Sequence, residues 1–143
     1  MEVYQQALVL SPPGVLVRLL EMEPLVIEAD RDRIKQVLLN LAGNALRYTA
    51  SGGQVMLSLR SASGGVQIQV SDTGKGIPAD DLPRIFERFY RGERSRKREK
   101  EGGLGLGLSI SYLIIKAHGG RIDVTSQESV GTTFTIWLPL TQR

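Results

Sequence analysis

A chain of 143 residues, 41% apolar and 23% charged, is sized for one hydrophobic core and composed like an ordinary globular domain, which excludes disordered, collagen-like and coiled-coil classes. Its net charge of +3 is modest, and the absence of cysteine rules out disulfides, thiolate zinc sites and a cysteine nucleophile. No apolar run approaches the roughly 18 residues of a membrane span and the N-terminus has no signal-peptide pattern, so a soluble, cytoplasmic chain without membrane contact is expected.

Ser11-Pro12-Pro13-Gly14 breaks the chain before two short extended runs, Val15 to Leu20 and Leu25 to Glu28, whose join at Met22-Glu23-Pro24 predicts a hairpin. A helix follows, capped by Asp30 or Asp32: Ile34, Val37, Leu38, Leu41, Ala42 and Ala45 recur at helical spacing until Thr49 and Gly52-Gly53. Val55, Leu57 and Leu59, then Val66, Ile68 and Val70, alternate with polar residues around Gly64-Gly65 and predict a second hairpin. Ile77 to Phe89 reads as short helical pieces, and Arg91 to Gly103 as a polar loop. A second helix is expected from about Gly105 to Ala117, stopping at Gly119-Gly120. Arg121 to Thr125 and Thr132 to Leu138 alternate about a turn at Ser129-Val130-Gly131. Paired strands with intervening helices predict an α+β, two-layer α/β sandwich, a mixed and mostly antiparallel sheet covered on one face by helices. No repeat or boundary divides residues 1–143, so a single domain is expected.

Four constellations bear on chemistry. Gln36, Asn40, Asn44 and Arg47 lie at intervals of four, four and three, along one face of the first helix. Asparagine weakens a helix, so the line reads either as an uncharged solvent face or as amide oxygens set out for a hard cation such as Mg²⁺. Asp72-Thr73-Gly74-Lys75-Gly76-Ile77 follows a strand, and is either an ordinary turn or an acceptor-only carboxylate placed for an exocyclic amine such as that of adenine. Gly102 to Leu108 carries glycines at 102, 103, 105 and 107 into a helix start, where unpaired amides face phosphate readily. It is not a Walker loop, because no Gly-Lys-Ser/Thr occurs, and a dinucleotide fingerprint needs glycine where Leu108 stands. Ile85, Phe86, Phe89 and Tyr90 adjoin Arg91, Arg94, Arg96, Lys97, Arg98 and Lys100. That basic stretch is mixed with glutamates and not interleaved with aromatic residues, so nucleic acid is not an expected partner. His118, the only histidine, sits at a helix end and reads as a capping or packing residue.

Taken in order, Asn40-Leu-Ala-Gly-Asn44-Ala-Leu-Arg-Tyr48-Thr, Asp72-Thr-Gly-Lys-Gly-Ile77-Pro, Ile85-Phe-Glu-Arg-Phe-Tyr-Arg91 and Gly103-Leu-Gly-Leu-Gly-Leu108 resemble the N, first glycine, F and second glycine boxes of bacterial sensor histidine kinases. The resemblance spans about residues 30 to 138. It implies the ATP-binding sandwich shared with gyrase, heat-shock chaperone and mismatch-repair ATPases, with ATP and Mg²⁺ as cofactors. By resemblance, Asn44 is the Mg²⁺ ligand, Asn40 and Arg47 lie near metal or phosphates, and Tyr48 lines the nucleotide pocket. Asp72 is expected to receive the adenine amino group, with Gly74, Gly76 and Ile77 shaping the base pocket. Phe86, Phe89 and Arg91 begin a lid that runs to Gly103, with Arg91 reaching the terminal phosphates. Gly103, Leu104, Gly105, Leu106, Gly107 and Leu108 let the lid's end approach the triphosphate. Arg47 stands where lysine is usual and Leu104 where threonine or serine is common. Hydrolysing relatives carry a glutamate at the position of Asn40, which cannot act as a base; this favours a kinase. The resemblance further implies a monomeric catalytic domain that works on a histidine of a separate, dimeric helical domain, absent from this chain, with a response regulator as the indirect partner. A nucleotide-binding module without transfer and a serine-directed kinase of the anti-sigma type are the alternatives.

Overall fold

The computed structural model describes residues 14–22, 30–62, 64–86 and 106–139. Five strands form one sheet: β1 (Leu16–Met22), β2 (Gln54–Ala62), β3 (Gly65–Asp72), β4 (Arg121–Gln127) and β5 (Gly131–Pro139), in the order β1-β2-β3-β5-β4. Helix α1 (Arg31–Tyr48) connects β1 to β2, and α2 (Leu106–Ala117) precedes β4; a single 3₁₀ turn spans Leu82–Arg84. The pairs β2/β3 and β4/β5 are antiparallel, as expected of strands joined by short turns, and β3/β5 is antiparallel as well. β1 instead runs parallel to β2, Val17 opposite Val55 and Leu19 opposite Leu57. A parallel neighbour needs a long crossover, and the segment containing α1 supplies it. The expected second run of the first hairpin, residues 25–28, lies outside the described residues.

Alternation drives the layering. On β5, Thr132, Phe134, Ile136 and Leu138 are buried, and on β2 and β3 so are Val55, Leu57, Val66 and Val70. Val37, Leu41 and Ala45, at successive turns of α1, and Ile115 of α2 close over them in one apolar cluster. Each fully buried Val, Leu or Ile contributes roughly 1.5–3 kcal/mol, so this two-layer core fixes where the helices lie on the sheet. The predicted two-layer, mostly antiparallel α+β architecture is thereby borne out. Among the described residues no helix is long and apolar enough to cross a membrane.

Helix ends are set by local chemistry. Asp30 caps α1, its carboxylate accepting the Arg33 N–H at 3.2 Å, and the Thr49 hydroxyl donates to Ala45 C=O at 2.6 Å where the helix stops. At the end of α2 the N–H groups of Gly119 and Gly120 return to the carbonyls of Lys116 and Ile115, with Gly119 at a φ of 75° that a side chain adopts poorly. His118 joins the two helices. Its Nδ1–H donates to Ile114 C=O at 2.8 Å, and its Nε2 then accepts the Asp30 N–H at 3.1 Å. The lone histidine is thus a structural tie, as its position predicts.

Candidate functional site

Asp72 ends β3 and is half-buried. Its Oδ1 accepts the Gly74 N–H at 2.8 Å, which bends the chain out of the strand and into the loop 73–77. Burial pushes the carboxyl above its ordinary value, opposed by backbone N–H groups of Gly74 and Thr132 that favour the charged form. An ion held against a desolvation cost, with acceptor capacity beyond these two donors, is chemically matched to an N–H donor such as an exocyclic amine.

The loop itself is built against the β4–β5 hairpin. Ile77 N–H donates to the Ser126 hydroxyl at 2.7 Å, and Ser129 N–H donates to Lys75 C=O at 2.8 Å. Gly76 has a φ of 74°, and a Cβ there would overlap Gln127 C=O; a Cβ on Gly131, whose φ is 152°, would overlap Asp72 C=O. These two glycines permit backbone to approach backbone on both sides of the loop. Gly131→Ala is therefore expected to destabilise the domain by roughly 2–4 kcal/mol, combining backbone strain with overpacking. Thermal unfolding followed by circular dichroism checks this, and an unchanged midpoint would show that the contact is dispensable.

Thr73 ties this loop to the start of β2. Its hydroxyl accepts Gln54 N–H at 2.9 Å while its own N–H donates to Gln54 C=O at 3.0 Å, at the start of β2 just after the α1–β2 turn. The C-terminal half of α1 carries Asn40 and Asn44, both half-buried, and Arg47, which is exposed. The asparagine line is thus no solvent face. Asn40 Nδ2 donates to the hydroxyl of Ser111, a fully buried residue of α2, at 3.3 Å. Phe86 meets the same helix, its ring 5.5 Å from Tyr112 and 6.3 Å from Phe134 of β5. Ile77, Phe86 and Leu108 all pack on the core cluster.

Helix α2 therefore gathers three of the four motifs: it begins with Leu106, Gly107 and Leu108, meets Asn40 through Ser111 and meets Phe86 through Tyr112. Tyr48 is placed by the backbone as the last residue of α1. Phe89, Arg91, Gly103, Leu104 and Gly105, and with them the expected lid, lie outside the described residues. The residues that sequence reading missed are Ser111, Ser126, Gly131 and Thr132. The one usable signal was Gly131 at a turn, since a hydroxyl buried between elements leaves no mark in periodicity.

The family model for histidine kinase-, DNA gyrase B- and HSP90-like ATPases matches residues 29–142. The chain is 44% identical to sensor histidine kinase ZraS of Escherichia coli (strain K12) over 114 residues, 80% of this chain but 23% of that protein. Among solved structures, the nucleotide-free catalytic domain of histidine kinase ThkA is 30% identical, with a TM-score of 0.79 over 98% of this chain and 91% of that one. Full-length ShkA in complex with AMPPNP is 32% identical, with a TM-score of 0.81 over 99% of this chain and 30% of that one. The chain spans from about a quarter to a third of the length of the relatives ZraS and SasA.

Proposed function

Because the chain belongs to the histidine kinase-, DNA gyrase B- and HSP90-like ATPase family, as the ATP-binding catalytic domain of a sensor histidine kinase, we propose that it binds Mg²⁺-ATP and donates the γ-phosphate to a histidine on a separate dimeric helical domain. From there the phosphate passes to a response regulator. ATP as substrate places this domain in the cytoplasm, whether or not its kinase is membrane-anchored.

The observation that carries this reading is the half-buried Asp72 carboxylate at the mouth of a glycine loop. It accepts the adenine amino group, while Gly74, Gly76 and Ile77 bring backbone against the base. Asn44 supplies its amide oxygen to Mg²⁺, with Arg47 on the next turn adding positive charge beside the phosphates. Asn40, whose amide donates to Ser111, is not a base and activates no water, which suits transfer over hydrolysis. Leu106, Gly107 and Leu108 present the start of α2 to the triphosphate. Arg91 neutralises charge on the transferring group. Asn44 would hold Mg²⁺ there, and the ion would supply positive charge that offsets the charge on the phosphates.

Asn44→Ala is expected to abolish most of the Mg²⁺-dependent gain in ATP affinity, a loss of at least about tenfold, or 1.4 kcal/mol, and to leave Mg²⁺-free binding nearly unchanged. Titration calorimetry with and without Mg²⁺ separates the two. Equal weakening in both conditions would make Asn44 a packing residue.

A further inference from the structure

We propose that Ser126 is a positioning residue for adenine recognition, an inference that rests on Asp72 being the acceptor for the base. The Ser126 side chain lies in β4, 54 residues beyond Asp72 in sequence, and its Oγ has three partners: Ile77 N–H at 2.7 Å, Gly131 C=O at 3.0 Å and the Thr132 hydroxyl at 2.8 Å. A serine hydroxyl has one proton and two lone pairs. The carbonyl can only accept and the Ile77 amide can only donate, so one arrangement satisfies all three. Ser126 donates to Gly131, and accepts from Ile77 N–H and from the Thr132 hydroxyl.

This single oxygen grips both sides of Asp72. Through Ile77 it holds the far end of the loop whose near end is bonded to the Asp72 carboxylate at Gly74. Through Thr132 it holds the residue paired with Asp72 across β3 and β5, whose backbone N–H also faces that carboxylate. Ser129 N–H to Lys75 C=O adds one further bond between the hairpin turn and the loop. The carboxylate's direction is therefore fixed from the β4–β5 hairpin, and Ser126 acts on base recognition through Asp72 and the loop. Removing its hydroxyl takes the acceptor from Ile77 N–H and a donor from Gly131 C=O at a half-buried contact, and the loop is freer to move relative to Asp72.

The test is selectivity. Inosine triphosphate carries a carbonyl oxygen where ATP carries the amine, so a rigidly held acceptor discriminates against it. Mg²⁺-dependent binding of both nucleotides to the 143-residue chain is measured by calorimetry for the parent chain, Ser126→Ala, Ser126→Thr and Asp72→Asn. Ser126→Ala is expected to weaken ATP about tenfold and inosine triphosphate far less, narrowing the ratio; Ser126→Thr, which keeps the hydroxyl, restores it. Should Ser126→Ala fail to fold, Ser126→Cys, similar in size and a poor acceptor, gives the same reading. Equal weakening of both nucleotides, with the ratio intact while Asp72→Asn still collapses it, would overturn the role of Ser126 alone. A ratio unmoved by Asp72→Asn would overturn the base acceptor and this inference with it.

Discussion

Replacing Asp72 by asparagine is expected to weaken ATP binding by about 1–3 kcal/mol, roughly 5- to 150-fold, while leaving the nucleotide-free domain as stable as before or more so. The two effects have one cause. The carboxylate is charged at a half-buried position, and burial holds its pKa above the ordinary value despite the backbone N–H groups of Gly74 and Thr132. A raised carboxyl pKa means that Asp72 contributes stability in its protonated form, below its unfolded pKa, and that this contribution is lost as pH rises through the folded pKa. At neutral pH the free domain therefore carries an unfavourable ion, which on the proposed reading nucleotide offsets by donating its amine. Asparagine keeps one oxygen for Gly74 N–H and removes the ion, but turns a donor toward the base. The melting temperature of the nucleotide-free variant is expected to equal or exceed that of the parent at pH 7, with any advantage shrinking on acidification. Calorimetric ATP titration beside thermal melts from pH 7 down to pH 4 measures both. A variant that binds ATP as the parent does, or that melts lower at every pH, would remove Asp72 from the base pocket or make it a structural residue.

Much of this fold was legible because its signals are local. The spacing of Val37, Leu41 and Ala45 located α1, and Asp30 and Gly119 mark helix ends by capping chemistry that needs no tertiary partner. The alternation along residues 66–70 and 132–138 located β3 and β5, although it could not tell that these two strands pair with each other. Nor could it tell that β1 pairs in parallel with β2, since periodicity records which face a residue takes and not which strand lies beside it. The same limit applies to the site. Asp72, Gly74 and Gly76 announce a turn beside a strand, and Asn40 and Asn44 announce a helix face. Ser111 and Ser126 look like any other serine, and acquire meaning only when the fold brings them against Asn40 and Ile77, 71 and 49 residues away in sequence. Positioning residues of this kind become visible through hydrogen-bond partners, because their chemistry is ordinary and their location is not.

The chain alone is expected to bind ATP yet to transfer its phosphate at no appreciable rate, and to regain transfer when mixed with the acceptor-histidine domain of its own kinase. Phosphoryl transfer requires an acceptor in line with the γ-phosphate, and its catalysis consists mostly of positioning and charge neutralisation. His118 cannot serve as that acceptor in this fold: its Nδ1–H is given to Ile114 C=O and its Nε2 lone pair to Asp30 N–H. A phosphate on Nε2 would break the tie between α1 and α2, and one on Nδ1 would break the bond to Ile114 C=O that orients the ring. Water is no better placed if, as the resemblance implies, Asn40 stands where hydrolysing relatives hold a glutamate, because its amide is bonded to Ser111 and is not a base. With radiolabelled ATP, the added helical domain is expected to gain an acid-labile, alkali-stable phosphate, located by mass spectrometry on its histidine. Arg91→Ala is expected to slow that labelling by about 10²-fold or more, well beyond its effect on ATP affinity, because an interaction made with the transferring group is strongest in the transition state. Stable phosphate on His118 in the isolated chain, or rapid ATP hydrolysis with no partner present, would contradict the donor-half assignment and place the active chemistry within this domain alone.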